Sequence, residues 1–239
     1  MESIRMSLKY RFILSTLTLL IVSRAGFSAG VRADLDGVWN LAHETARESV
    51  TTGSPPILFT EVGQTFNDTY DYLTDDPHMQ CIPASVSRIM LTPSPLFEIR
   101  QHSDYIEINY EFMDVKRIVP LDPDLSLEDA PLSTPEFPHL GRSIAWYEGE
   151  ELFIETTDIQ EGVFSTHVLV GYPQSNQMHT IEHFIPDGDR LETLISHTDP
   201  VYYEEPFEIV YRHVRTPHPL LEWGCVPEKA CVDPRECGE

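Results

Sequence analysis

The chain has 239 residues, with 16 Lys plus Arg against 39 Asp plus Glu and a formal net charge of −23. A surface of that sign repels a phosphate backbone and has no counterions to release there, which argues against nucleic acid as a partner. Apolar residues make up 41% and aromatics 10%, enough to pack one core, and 19 Pro against 12 Gly point to stiff connections and interrupted edges.

Arg5, Lys9 and Arg11 precede an apolar run from Phe12 to Val22, the charged and hydrophobic regions of a secretory signal. The run is shorter than the roughly 20 apolar residues of a spanning helix. Val31-Arg32-Ala33 is the best small-x-small cleavage site and Ser23-Arg24-Ala25 the second, so residues 1–33 are read as a leader and Asp34 as the start of the exported chain. An uncleaved anchor is the alternative. Cleavage removes Arg5, Lys9, Arg11, Arg24 and Arg32 but only Glu2, which takes the net charge from −23 to −27. The expected location is periplasmic or secreted, with no stable membrane insertion after cleavage.

Residues 34–224 are read as a single domain. Asp34 to Leu41, with Gly37-Val38-Trp39, reads as the first strand, and Ala42 to Pro56 as a polar loop with a helical turn. Thr60 reads as an N-cap, because Phe59, Val62, Phe66, Tyr70 and Leu73 recur at helical spacing until Asp75-Asp76-Pro77 ends the run. From Pro95 the period changes to two. Phe97 and Ile99, then Ile106, Ile108, Tyr110 and Phe112, then a run from Val115 to Leu121 form a three-strand meander. Residues 122–141 are a long ordered, Pro-rich loop. Two hairpins follow, turning at Glu148-Gly149-Glu150 and at Asp187-Gly188-Asp189, and a last strand covers Phe207 to Val214. Many short strands, one short helix and no βαβ alternation predict an all-β fold, an antiparallel lipocalin-like barrel whose closure removes exposed edges. A two-sheet sandwich is the alternative.

Residues 225–239 form a tail with three of the four cysteines, Cys225, Cys231 and Cys237, while Cys81 stands alone. Four cysteines allow three pairings. The expected one joins Cys81 to Cys225 and Cys231 to Cys237, because the tail is too polar to dock without a staple. Closing so long a loop contributes about 4–5 kcal/mol on the chain-entropy model. A C-x5-C spacing is wider than that of zinc knuckles, so no metal is expected.

Several stretches read together: Asp36-Gly37-Val38-Trp39, Cys81-Ile82-Pro83 with Arg88-Ile89-Met90, Phe97-Glu98-Ile99, Tyr110-Glu111-Phe112, Glu128-Asp129-Ala130-Pro131, Tyr147-Glu148-Gly149, Glu182-His183-Phe184, and Leu220-Leu221-Glu222 before Cys225. The string resembles a family of exported proteobacterial proteins expected to be lipocalin-like, calycin-like β-barrels, for which no reaction is established. Gly37-x-Trp39 alone is similar to the first-strand tripeptide of lipocalins, which implies a structural role for Trp39 at the closed end of the barrel. This chain departs from the family pattern at Arg142, where a Gly-His step is usual, and at Gln174-Ser175-Asn176, where a His-Ser-Asp step is usual.

The chemistry-bearing residues are read against that scaffold. His179 and His183 lie four apart on a strand, roughly 13 Å along one face and too far to share an ion. A cross-strand partnership of His179 with His197 requires a three-residue turn at 187–189. Glu98, Glu111, Glu155 and Glu182 sit in alternating runs, with Arg88 and Arg117 among the few bases left to pair with them. Glu107 and Glu192 are read as facing water, Glu155 and Glu182 as candidates for the interior, where desolvation would raise a carboxyl pKa and suit a general acid. Tyr110, Phe112, Arg117, Phe184 and Tyr211 are candidate ligand-lining residues, with Trp146 and Trp223 as further aromatics. No phosphate loop, nucleophile elbow, zinc-protease motif or redox motif is present, and no cofactor is expected.

Three functions remain open. The first is an exported barrel that binds a small hydrophobic or amphipathic ligand in its lumen. The second is a lyase, isomerase or cyclase using Glu155 or Glu182 as acid/base, with Tyr110 or Arg117 steadying charge. The third is a filled structural barrel that offers loop 122–141 as a contact surface. Fold alone does not choose among them.

Overall fold

The computed structural model describes residues 32–42, 50–52, 57–83, 85–90, 96–163 and 170–225. The leader, apart from Arg32 and Ala33, and the pairing of Cys231 with Cys237 lie outside the described residues. Alternating apolar residues become strands β1 (Gly37–Leu41), β2 (Val50–Thr52), β3 (Phe97–Gln101), β4 (Tyr105–Tyr110), β5 (Lys116–Pro120) and β6 (Arg142–Glu148). They continue as β7 (Glu151–Thr157), β8 (Gly162–Val163), β9 (Pro173–Gln174), β10 (His179–Asp187), β11 (Arg190–Thr198) and β12 (Phe207–Thr216). Strands β8 and β9 pair with each other alone. All the rest join one antiparallel sheet in the order β5-β4-β3-β1-β12-β11-β10-β7-β6, with β2 also on β12.

The sheet rolls until its two edge strands, β5 and β6, come near each other, but no strand ladder closes them. The Pro-rich loop stitches this seam instead. Ile118 on β5 donates to Ser133 O at 2.8 Å, and Ser133 N donates to Gly141 O at 3.1 Å beside β6. Leu132 makes an isolated antiparallel bridge to Arg142. The expected closed barrel is therefore an open one, and the loop read as a contact surface contributes to its wall.

The three-residue strand β2 lies where a helical turn was expected, because Val50, Thr51 and Thr52 pair with the edge of β12. Strand β4 ends at Tyr110, earlier than the alternation suggests. Tyr110 N donates to Val115 O at 2.8 Å, which closes the reversal across Phe112. The β10–β11 turn is two residues long, with Asp187 paired to Arg190 and Gly188 at φ 60. That positive φ is what a tight hairpin demands and what glycine supplies.

Helix α1 (Glu61–Thr69) starts where the sequence indicates, with the Thr60 side chain accepting from Gly63 N at 3.1 Å. Its inward side is set by Gly63 rather than Val62, which is exposed. A Cβ at position 63 would sit 2.2 Å from Tyr202 O, so only glycine lets the helix lie against that backbone. The chain then breaks at Tyr70 into the short turns α2 (Tyr72–Asp75) and α3 (Val86–Ile89). A disulfide joins Cys81 to Cys225 across a separation of 144 residues and ties the start of the tail to this helical segment. Trp39 is fully buried, donates through Nε1 to Leu35 O at 3.0 Å, and lies beneath the Arg215 guanidinium, 4.5 Å from its ring centre.

Candidate functional site

Residues paired across neighbouring strands share a face, so the register sorts the interior into rows. One inward row holds Ser143, Thr156, Thr180, His197 and Phe207. The next holds Ala145, Ile154, Glu182, Ile195 and Ile209, and a third Tyr147, Leu152, Phe184, Thr193 and Tyr211. The first row is polar on four consecutive strands, and the second carries a carboxylate among aliphatic side chains. Together with Thr193 of the third row they form a polar belt inside an otherwise apolar core.

Arg117 reaches this belt from β5, across the seam. Its Nη1 lies 2.6 Å from Glu182 Oε2, and both side chains are completely buried. Its Nη2 donates to Ser143 Oγ at 3.0 Å and to Thr156 Oγ1 at 2.8 Å. A buried guanidinium keeps its charge, and Glu182 is the anion that compensates it. Burial holds the Glu182 carboxyl above the ordinary range, and Arg117 offsets only part of that push. Burial also works against the Arg117 charge, but Glu182 and Tyr110 more than offset this and hold the guanidinium protonated. The Tyr110 hydroxyl lies beside Arg117 without an aligned hydrogen bond, and burial pushes its phenol well up. Tyr211 is raised in the same way, with the Glu182 charge adding to burial.

Several polar atoms of the belt have no hydrogen-bond partner among the described residues. They are Thr180 Oγ1, Thr193 Oγ1, Glu182 Oε1 and Arg117 Nε, and on the neighbouring interior surface both nitrogens of His213. Native interiors leave few such atoms, and each costs about 1–3 kcal/mol. Burial pushes His213 down to about 3. It also lowers His197 to about 3, against hydrogen bonding with the backbone of Ile195 and Phe207. Both imidazoles are therefore neutral near pH 7.

The structure brings Tyr110, Arg117, Glu182, Phe184 and Tyr211 into the interior. It does not bring the other two candidates there. Glu155 faces outward, because β7 turns Leu152, Ile154 and Thr156 inward, and its carboxylate pairs with His179 at 2.7 Å. Phe112 is buried, but past the end of β4, against His78 and Trp223 at the tail. His179 does not meet His197: the two-residue turn sets His197 opposite Thr180, on the other face. Glu98 pairs outside with Arg100 at 2.9 Å, and Glu111 accepts from Leu221 N at 2.8 Å. Trp146 is also outside, stacked on Phe153 at 5.4 Å.

Glu192 sits at the surface beside Arg212 at 3.2 Å, whereas Glu107, also read as facing water, is 6% exposed. Lys116 at 3.2 Å, Arg100 at 3.4 Å and the Asn109 amide at 2.9 Å cover it. Burial pushes its carboxyl up, and these three partners outweigh that and hold it below the usual range. Arg88 pairs with no strand glutamate. It donates to Asp76 Oδ2 at 2.7 Å, which also accepts from Tyr70, and its guanidinium touches the His78 ring. At two positions where the sequence departs from the pattern it resembles, Arg142 donates to Asp158 at 2.8 Å and the Gln174 amide donates to Gln160 O at 2.9 Å.

The residues missed by sequence reasoning are Ser143, Thr156, Thr180, Thr193 and His213, and His197 enters it only as a partner of His179. Their signal is phase: each occupies the inward parity of its strand, as in Leu191-x-Thr193-x-Ile195-x-His197 and Ile209-x-Tyr211-x-His213. Hollows of about 450 and 530 Å³ lie outside the sheet, one between α1 and β8 against Phe66, Tyr70 and Val163, another around Asp34, Gly188 and Arg215. Neither touches the belt. Among the described residues no three His, Cys, Asp or Glu side chains gather as a metal site, and no helix is long and apolar enough to cross a membrane.

Comparison with protein-family models gives no match, and comparison with curated proteins gives none. Among solved structures the chain is similar to the crystal structure of a mutant of the fluorescent protein UnaG, with 12% identity over 77% of this chain and 96% of that one, at a TM-score of 0.34. A likeness that loose says nothing of what this chain binds.

Proposed function

We propose that this is an exported small-molecule-binding barrel whose guest places a polar group in the belt formed by Tyr110, Arg117, Thr180, Glu182 and Thr193. The observation that carries the reading is the convergence of partnerless buried polar atoms on one interior region. At about 1–3 kcal/mol each, a handful of them rivals the whole stability of a domain, about 5–15 kcal/mol. A guest that bonds to them removes that cost. Phe184 and Tyr211 line the same rows and must part to admit its apolar body.

The close packing of the belt favours a second reading, the filled structural barrel, since Arg117, Glu182, Phe184 and Tyr211 all have 0% exposure. Native mass spectrometry of protein purified from its own host separates the two. A molecule that co-purifies with the wild type, and is absent from a double variant Arg117→Leu with Glu182→Leu, supports binding. Two bare spectra support the filled barrel and sink the binding reading. The acid/base reading loses Glu155 to the outer face and finds Glu182 in contact with a guanidinium that favours its ionised form and opposes the upward push of burial.

A further inference from the structure

We propose that the interior selects an uncharged guest, an apolar body bearing a hydroxyl or carbonyl group, and rejects carboxylates and amines. The inference rests on the interior-binding reading above and adds the chemical class. It follows from the balance of charge inside the sheet.

The interior belt holds one cation and one anion, Arg117 and Glu182, in contact at 2.6 Å and shielded from water. Among the described residues the titratable groups beside them are Tyr110 and Tyr211, and on the neighbouring interior surface His197 and His213, all buried and all neutral near pH 7. The belt is therefore already neutral. A carboxylate guest would have to share Arg117 with Glu182, setting two anions around one cation where little solvent screens them. An ammonium guest would set two cations around Glu182. Either adds a net charge to a desolvated space, a cost that a neutral guest avoids.

The partnerless atoms fit a neutral group better than an ion. Glu182 Oε1 is an acceptor, Arg117 Nε a donor, and the hydroxyls of Thr180 and Thr193 serve as either. A guest hydroxyl donates to Glu182 and accepts from a threonine. A guest carbonyl accepts from Arg117 Nε or a threonine. The acidic exterior adds a second barrier to anions approaching from solution.

The test uses three probes that differ only in the head group: dodecanol, dodecanoate and dodecylamine, titrated by calorimetry into the full exported chain at pH 7.4. Dodecanol is expected to bind about tenfold or more tightly than either charged probe, a gap that corresponds to one decade of Kd. In Glu182→Gln, which leaves the Arg117 charge uncompensated, the order is expected to reverse in favour of dodecanoate. The wild-type ranking stands as a test even if that variant fails to fold. Equal or tighter binding of dodecanoate or dodecylamine by the wild type overturns the neutral-guest inference while leaving an interior site in place. Binding of none of the three, together with bare native mass spectra, overturns the interior-binding reading and this inference with it.

Discussion

Glu155 on β7 and Glu182 on β10 stand one register step apart, since Glu155 pairs with Ile181 and Glu182 with Ile154. Each has a basic partner, His179 at 2.7 Å for the first and Arg117 at 2.6 Å for the second. They differ in face. The Glu155 side chain is 29% exposed and meets water, and that of Glu182 is 0% exposed and meets none. One residue of parity thus separates a surface carboxylate–imidazole contact from a buried ion pair, and the two obey different energetics. Outside, water solvates both partners and the contact adds little. Inside, each charge depends on the other because no other charge among the described residues contacts either one.

The largest expected effect tests that dependence. Arg117→Ala strands Glu182 in the core and is expected to cost about 3–5 kcal/mol in urea unfolding, whereas replacing both residues by Leu costs far less than the sum of the single changes. A loss below about 1 kcal/mol for Arg117→Ala would mean that water reaches the belt and that the contrast with Glu155 is false.

Acid comes next in size. The folded pKa of His213 is pushed down to about 3 from an ordinary 6.5, so its neutral burial contributes stability that is complete above pH 6.5 and is lost as pH falls from there towards 3. The slope is about 1.4 kcal/mol per pH unit, or about 2 kcal/mol between pH 6.5 and 5. His213→Phe, beside Phe97 and Tyr211, is expected to remove about that much of the acid lability. An unchanged pH profile of unfolding would show that water solvates the imidazole in the native state.

How much of this is legible in the sequence follows from the same parity. Period-two runs identify β3 to β7 and β10 to β12, and the Asp-Gly turn identifies a hairpin, because pleat geometry and turn sterics act locally. Which phase faces inward is not local. Glu182 shares its parity with Phe184 and Thr180, and Glu155 with Phe153. Phe153 looks like a core residue, yet it lies outside, stacked between Trp146 and His183. Large apolar side chains on both faces of β7, Phe153 outside and Leu152 and Ile154 inside, erase the cue. Arg88 pairing with Asp76, and the Ser133 stitch across the seam, depend on how remote segments dock, and no spacing encodes them. The Cys81–Cys225 disulfide was reachable because a polar tail requires an anchor.

A smaller effect, of the opposite sign, probes the cost of the partnerless hydroxyls. Val has the shape of Thr without its hydroxyl, so Thr180→Val and Thr193→Val each remove an unsatisfied buried group at little cost in packing. Each is expected to stabilise protein stripped of its guest by about 1 kcal/mol and to weaken guest binding. Destabilisation without loss of binding would mean that the hydroxyls already have partners in solution.

The smallest effect is the one that closes the comparison. Glu155 and His179 form a pair nearly as short as the buried one, and distance alone would rank them close together. Solvent exposure predicts otherwise. A double-mutant cycle of Glu155→Gln and His179→Gln is expected to give a coupling of about 0–1 kcal/mol. That coupling should shrink in 1 M salt, where the screening length falls to about 3 Å. The coupling between Arg117 and Glu182 should hardly change with salt, because ions do not enter the core. If the Glu155 pair proved as strong and as insensitive to salt as the buried pair, contact distance rather than the face of the sheet would govern ion-pair strength in this protein.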